Sequence, residues 1–271
     1  MLGACSTTYD RLDYDSLSVG NDQEMAYGVY TPPDWTPDES LPLVLFLHGG
    51  GSSHKSFEKF KASDYLDREI REGNIPRFVL LTPNGNNGFW ENWHDGSQQY
   101  RDWVMLKLLP KIQRKYNTQK CPEHCHLLGI SMGGFGALRF AYFFKDHFSS
   151  ISAVSAPIPN QQEVEEMRSS LLTKLFIPMD KIFGPKAHAD EQRQSFENAW
   201  LQDEDLHDIR LQLVWGDKDR KLMTTSNARF VAALEENNIP VDYFIYSGGH
   251  KWKYWVPSFD KILNFLVGDR K

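Results

Sequence analysis

Apolar residues in this chain collect in short unbroken runs. Leu43-Val44-Leu45-Phe46-Leu47 contains no polar position. Similar runs follow at Arg77–Leu81, His126–Ile130, Ile151–Val154, Leu211–Trp215 and Val241–Tyr246. A strand covered on both faces needs no alternation, so these runs predict buried strands of a largely parallel sheet. Met25–Thr31 alternates loosely and stops at Pro32-Pro33, which predicts an early edge strand. Between the runs the period changes. Tyr100–Tyr116 repeats Trp103, Leu106, Leu109, Ile112 and Tyr116 at helical spacing, with Pro110 a candidate kink. Met132–Phe144 is apolar around most of its circumference, as a buried helix is, whereas Ser226–Glu236 and Ser258–Val267 are amphipathic. Strand and helix in alternation predict an α/β fold with a mostly parallel central sheet and helices on both faces.

One stretch breaks the rhythm. Pro157–Ile209 separates two strands by roughly fifty residues, longer than most connections. It holds helical patches at Val164–Leu175 and Glu191–Leu201 and the apolar residues Leu175, Phe176, Ile177, Met179 and Phe183. The expectation is a small helical lid over the carboxyl edge of the sheet. Residues 1–20 read as an N-terminal tail and 21–271 as one domain carrying the lid at about 157–209.

Composition changes this picture little. The 271 residues are 41% hydrophobic and 24% charged, enough for a sizeable core. Thirty basic against 36 acidic side chains give a net charge of −6, which disfavours nucleic acid and anionic membrane surfaces as partners. No run of about 18 apolar residues offers a membrane span. Leu2-Gly3-Ala4-Cys5 resembles a bacterial lipobox. It predicts a lipid anchor on Cys5 and an envelope location without a spanning helix; without it the expected location is cytoplasmic. Cys121-Pro122-Glu123-His124-Cys125-His126 offers zinc-type ligands, but no second ligand cluster accompanies them. A surface turn is expected there, with Cys121 and Cys125 pairing in an oxidising compartment.

The chemistry concentrates in four segments. Gly129-Ile130-Ser131-Met132-Gly133 is a G-x-S-x-G sequence between a predicted strand and a predicted helix, the context in which such a serine is a nucleophile. A serine hydroxyl needs a base, and the base needs an orienting acid. Of His147, His188, His207 and His250, only His250 follows a strand in a glycine-rich loop, Ser247-Gly248-Gly249-His250. Gly216-Asp217-Lys218-Asp219 follows the preceding strand and supplies the acid. Asp219 is favoured, with Asp217 as a turn-former. His48-Gly49-Gly50-Gly51 follows the first central strand. Gly50, with Gly51 next, is the candidate to share an oxyanion hole with the Met132 N–H, and Gly51 otherwise borders the substrate. His48 is expected to orient this loop. Trp90, Trp93, Trp252 and Trp255 are candidate aromatic walls suited to a sugar or a phenolic acyl group.

Together these segments resemble the Putative esterase (esterase D-like) family of α/β-hydrolases. That family includes S-formylglutathione hydrolases, feruloyl and acetylxylan esterases, enterochelin esterases and mycolyltransferases. The resemblance spans about Met25 to Val267. It is most specific at Gly129–Leu138 (GISMGGFGAL) and Gly248–Trp255 (GGHKWKYW), with Thr82–Trp93 similar to a loop that borders the substrate. Relatives often carry an aspartate where this chain has Asn84. The resemblance implies hydrolysis of a small-molecule or carbohydrate ester, such as a feruloyl or acetyl ester, through an acyl-enzyme on Ser131, with no metal or cofactor. Rival readings are an acyltransferase with a sugar alcohol as acceptor, a peptidase, and a non-catalytic envelope binding protein.

Overall fold

In the computed structural model, residues 12–20, 22–171, 177–185 and 200–268 are described. Eight strands form one sheet in the order β1-β2-β4-β3-β5-β6-β7-β8. They are β1 Leu12–Gly20, β2 Gln23–Tyr30, β3 Leu43–Leu47, β4 Val79–Pro83, β5 Cys125–Ile130, β6 Ser150–Val154, β7 Arg210–Gly216 and β8 Asp242–Tyr246. The first two are antiparallel to their neighbours, and β3 to β8 run parallel. This is the α/β-hydrolase arrangement.

The unbroken apolar runs resolve into two cores, one on each face of the sheet. Leu43, Leu45 and Leu47 enter one cluster, while Val44 and Phe46 enter the other. Leu127 and Leu128 divide in the same way, as do Leu213 and Val214. On the first face pack α2 (Leu109–Lys115), α3 (Met132–Phe143) and α6 (Lys221–Glu236), through residues such as Ile112, Phe140 and Phe230. On the second pack α1 (Ala62–Arg71) and α7 (Phe259–Val267), through Leu66, Ile262 and Leu266. Two-sided burial is what removed the alternation from the sequence.

Two expectations are corrected. The tail reading of residues 1–20 fails from Leu12 onward, because Leu12–Gly20 is the edge strand of the sheet. Its Asp13 accepts hydrogen bonds from Tyr116 and Lys115, and its Asp15 from Tyr27. Consequently β2 is an inner strand and not the edge. The expected helix is present over 100–115 and is irregular just before Pro110. A π-helical turn, Trp103–Leu108, precedes α2, and the Leu109 N–H reaches back to the Val104 carbonyl. Widening the helix just before proline absorbs a ring that a regular turn would exclude.

In the insertion, α4 (Gln161–Ser169) starts at a capping box in which Asn160 and Glu163 each bond the other's backbone N–H. The short α5 (Met179–Phe183) follows. Leu175, Phe176 and most of the expected Glu191–Leu201 patch lie outside the described residues, as does Cys5. Cys121 and Cys125 form a disulfide. The neighbouring His126 is buried and its Nδ1 lies 2.8 Å from Ser150 Oγ.

Candidate active site

Ser131 sits between the end of β5 and the start of α3, with φ 57° and ψ −119°. A non-glycine residue holds such a backbone only where its surroundings enforce it. They do so here by close approach. A Cβ on Gly133 would fall 1.8 Å from the Leu47 carbonyl oxygen, and one on Gly129 would fall 2.0 Å from the Gly133 oxygen. Only glycine lets the helix come this near the strands, and that proximity forces the turn at Ser131. The Ser131 N–H donates to the Val154 carbonyl at 2.8 Å.

His250 leaves the loop after β8 and reaches this turn. Its Nε2 is 2.9 Å from Ser131 Oγ, and its Nδ1 is 2.8 Å from Asp219 Oδ1. A carboxylate only accepts, so Nδ1 carries the proton. In the neutral ring Nε2 then holds a lone pair toward the serine hydroxyl. The geometry is that of a base ready to take the serine proton.

Asp219 follows β7, and its side chain is 0% exposed. Besides His250 it accepts from the Arg220 N–H (2.7 Å) and from Ser155 Oγ (2.6 Å), with Tyr246 OH at 3.3 Å. Burial pushes its carboxyl pKa up, but the hydrogen bonds from His250 and Ser155 and the attraction to His250 outweigh this and hold it below the usual value. Asp217 takes the other role. Its Oδ1 accepts from the Gly248 N–H at 2.8 Å, which fixes the loop leading to His250.

Ser155, directly after β6, was not a candidate from the sequence. Its hydroxyl hydrogen goes to Asp219, and its oxygen accepts from Trp255 Nε1 at 3.1 Å. Tyr246 OH lies 2.9 Å from the same oxygen. The Trp255 ring also stands edge-on to His250 at 5.0 Å. Ser155 has φ 50°, another left-handed residue at a strand's carboxyl end. Its position straight after the Ile151–Val154 run was the one available signal.

His48 is fully buried and bridges two loops. Its Nδ1 lies 2.8 Å from the Gly49 carbonyl, and its Nε2 accepts from the Gly85 N–H at 3.0 Å. Accepting at Nε2 and donating at Nδ1 requires the neutral ring. Burial agrees, lowering its pKa to about 4 despite the hydrogen bond to Gly49. The two oxyanion candidates also separate. The Gly51 N–H is taken by Asn87 Oδ1 at 2.8 Å, whereas Gly50 stands close to Met132, with the Met132 sulfur 4.0 Å from where a Gly50 Cβ would lie. Met132 is the first residue of α3, where backbone N–H groups have no partner in the helix. Gly50 and Met132 both line the cavity into which Ser131 opens.

Ser131 and His250 open into a cavity of about 880 Å³. Gly50, Met132, Phe60, Phe89, Trp252 and Trp255 form much of its wall, and Pro157, Met167 and Ile177 of the insertion also line it. Trp252 stacks on Phe60 with ring centroids 4.8 Å apart. Trp90 and Trp93 are not among the lining residues. Trp90 is 0% exposed and donates to the His48 carbonyl, and Trp93 packs against the core and donates to the Gly88 carbonyl. Gly51 also stays outside the cavity wall. The loop carrying Trp90 is instead anchored by Glu91, which is buried between Arg139 of α3 and Arg101.

A nucleophilic serine on a sharp turn, a histidine base and a buried acid, held at the carboxyl edge of this sheet, define the serine-hydrolase type of α/β-hydrolase site. Residues 18–266 match the model of the family described as Putative esterase. The chain belongs to that family. An esterase of Mycobacterium tuberculosis is 31% identical over 134 residues, covering 48% of this chain and 28% of the relative. The chain therefore spans under a third of that relative's length. An acetyl esterase of Caldicellulosiruptor saccharolyticus is 21% identical over 230 residues, 80% of each chain. Among solved structures, a ferulic acid esterase superposes with a TM-score of 0.76 at 22% identity, covering 94% of this chain and 97% of the other.

Proposed function

We propose that this protein is a serine carboxylesterase that acts through an acyl-enzyme on Ser131. The relay Ser131 Oγ–His250–Asp219, with both hydrogen bonds under 3 Å, carries this reading. Ser131 Oγ attacks the ester carbonyl as His250 Nε2 takes its proton. The Met132 and Gly50 N–H groups hold the oxyanion that forms. His250 then hands the proton to the departing alkoxide. Water enters and its oxygen attacks the acyl carbon as the same nitrogen takes its proton; the Ser131 Oγ–acyl bond then breaks, Oγ regains the proton from His250 and the acid leaves. Asp219 keeps the ring in the required tautomer and stabilises the imidazolium.

Acetyl or feruloyl esters of carbohydrates are the proposed substrate class. The names of the acetyl and ferulic acid esterase relatives support it, as does the aromatic face formed by Phe60 and Trp252. Location at a bacterial envelope, with Cys5 as a lipid anchor, is proposed on the lipobox-like sequence together with the Cys121–Cys125 disulfide, a bond that persists in oxidising compartments.

The test is hydrolysis of acetyl, butyryl, octanoyl and feruloyl esters by wild type and by Ser131→Ala. Wild type cleaves at least one, and the variant loses roughly 10⁴-fold or more in kcat. Equal rates in the two proteins sink the assignment of Ser131.

A further inference from the structure

The loops that supply the acid and the base each place a cation beside them. Arg220 follows Asp219, Lys251 follows His250, and Lys253 stands two residues further on. All three are exposed and line the same cavity as Ser131. None of them is joined to a carboxylate among the described residues, and Lys253 Nζ lies over the Tyr254 ring at 4.7 Å. No aspartate or glutamate is among the described residues that line this cavity. Asp219 is close in sequence, but its side chain is wholly buried and its charge is held by His250, Ser155 and the Arg220 N–H.

This local charge runs against the molecule's average, a net −6. Unpaired cations around a cleft with apolar walls focus a positive potential into it. The Arg220 backbone serves Asp219, which leaves its guanidinium to offer a planar fork to paired oxygens. Such a mouth adds nothing for a neutral ester. We infer that the ester bound here carries an anionic group, a carboxylate, sulfate or phosphate, on the part that lies at the cavity mouth, where Arg220, Lys251 and Lys253 receive it. The inference rests on the esterase reading and adds the charge of the substrate.

Two matched pairs of esters test it. Para-acetoxybenzoate against para-acetoxybenzamide puts the charge on the alcohol side. Para-nitrophenyl hemiglutarate against para-nitrophenyl valerate puts it on the acyl side. Para-acetoxybenzenesulfonate and para-acetoxyphenyl phosphate then separate carboxylate from sulfate and phosphate recognition. In at least one pair, kcat/KM corrected for the rate with hydroxide favours the anion by about tenfold or more at roughly 20 mM ionic strength. That preference falls below about threefold at roughly 0.5 M salt, where the Debye length is only about 4 Å. It also collapses in Arg220→Ala/Lys251→Ala/Lys253→Ala. Binding of the same esters to Ser131→Ala, followed by tryptophan fluorescence, gives a second readout that needs no turnover. Equal kcat/KM within each pair, or a preference indifferent to salt and to the triple substitution, overturns the charge assignment and leaves the esterase reading standing. If wild type cleaves none of the esters, the esterase reading falls, and the affinity ratio on Ser131→Ala decides the charge by itself.

Discussion

Asp217 and Asp219 are two residues apart, and the structure gives them different tasks. Asp219 holds His250 directly, while Asp217 holds the Gly248 N–H two residues before it. Asp219→Asn therefore removes the acceptor that fixes the histidine tautomer, and kcat falls by about 10⁴. Asp217→Asn keeps an oxygen for Gly248 and costs under about tenfold. Steady-state kinetics of the two variants check this, and the reverse order of losses would move the acid to Asp217. Ser131, His250 and the order of the two aspartates were legible because each follows a strand in a turn-forming sequence. Ser155 was hidden because its importance lies in one hydroxyl directed at a residue 64 positions away. Trp90 misled for a related reason. Its neighbourhood in sequence is the cavity loop, but its ring fills the space that Gly85 and Gly136 leave open.

Among the elements, the central strands were legible nearly to the residue, since two-sided burial leaves an apolar run that little else produces. The edge strand Leu12–Gly20 was not. With one neighbour and half-exposed faces it can carry Asp13, Asp15 and Ser16, and its hydrophobic signal disappears. The substrate-side loop illustrates a connection no pattern could show. Glu91 is buried between Arg101 and Arg139, tying the loop that follows β4 to the helix that follows Ser131. Glu91→Gln removes the buried carboxylate charge shared by Arg139 and the partly buried Arg101 and lowers stability by about 3–5 kcal/mol. Urea unfolding checks this. A loss under about 1 kcal/mol would show that the cluster is solvated.

For the whole molecule, two buried histidines set the response to acid. Burial lowers His48 to about 4 and His126 to about 3, the latter with help from Arg210 and His124. In the unfolded chain both take a proton near pH 6.5. Between that pH and their folded values the unfolded state binds more protons, so stability falls as pH falls. Each histidine contributes about 1.4 kcal/mol per pH unit in that window. Urea midpoints recorded from pH 7 down to pH 5 therefore decline steadily, before ordinary carboxylates titrate. A flat profile over that range would mean that both rings are protonated in the fold.

Ser131, Ser155, Asp219 and His250 hang on the ends of β5, β6, β7 and β8, while Pro157, Met167 and Ile177 come from the one long insertion. Under the esterase reading, Ser131, Asp219 and His250 thus belong to other stretches of chain than this part of the wall, and only Ser155 shares the connection with it. Such a division would make the part of that connection beyond Ser155 an interchangeable cassette. A chimera carrying a relative's segment there would inherit features of that relative's taste in substrates while keeping its own chemistry, so that specificity can drift across generations without the reaction being reinvented.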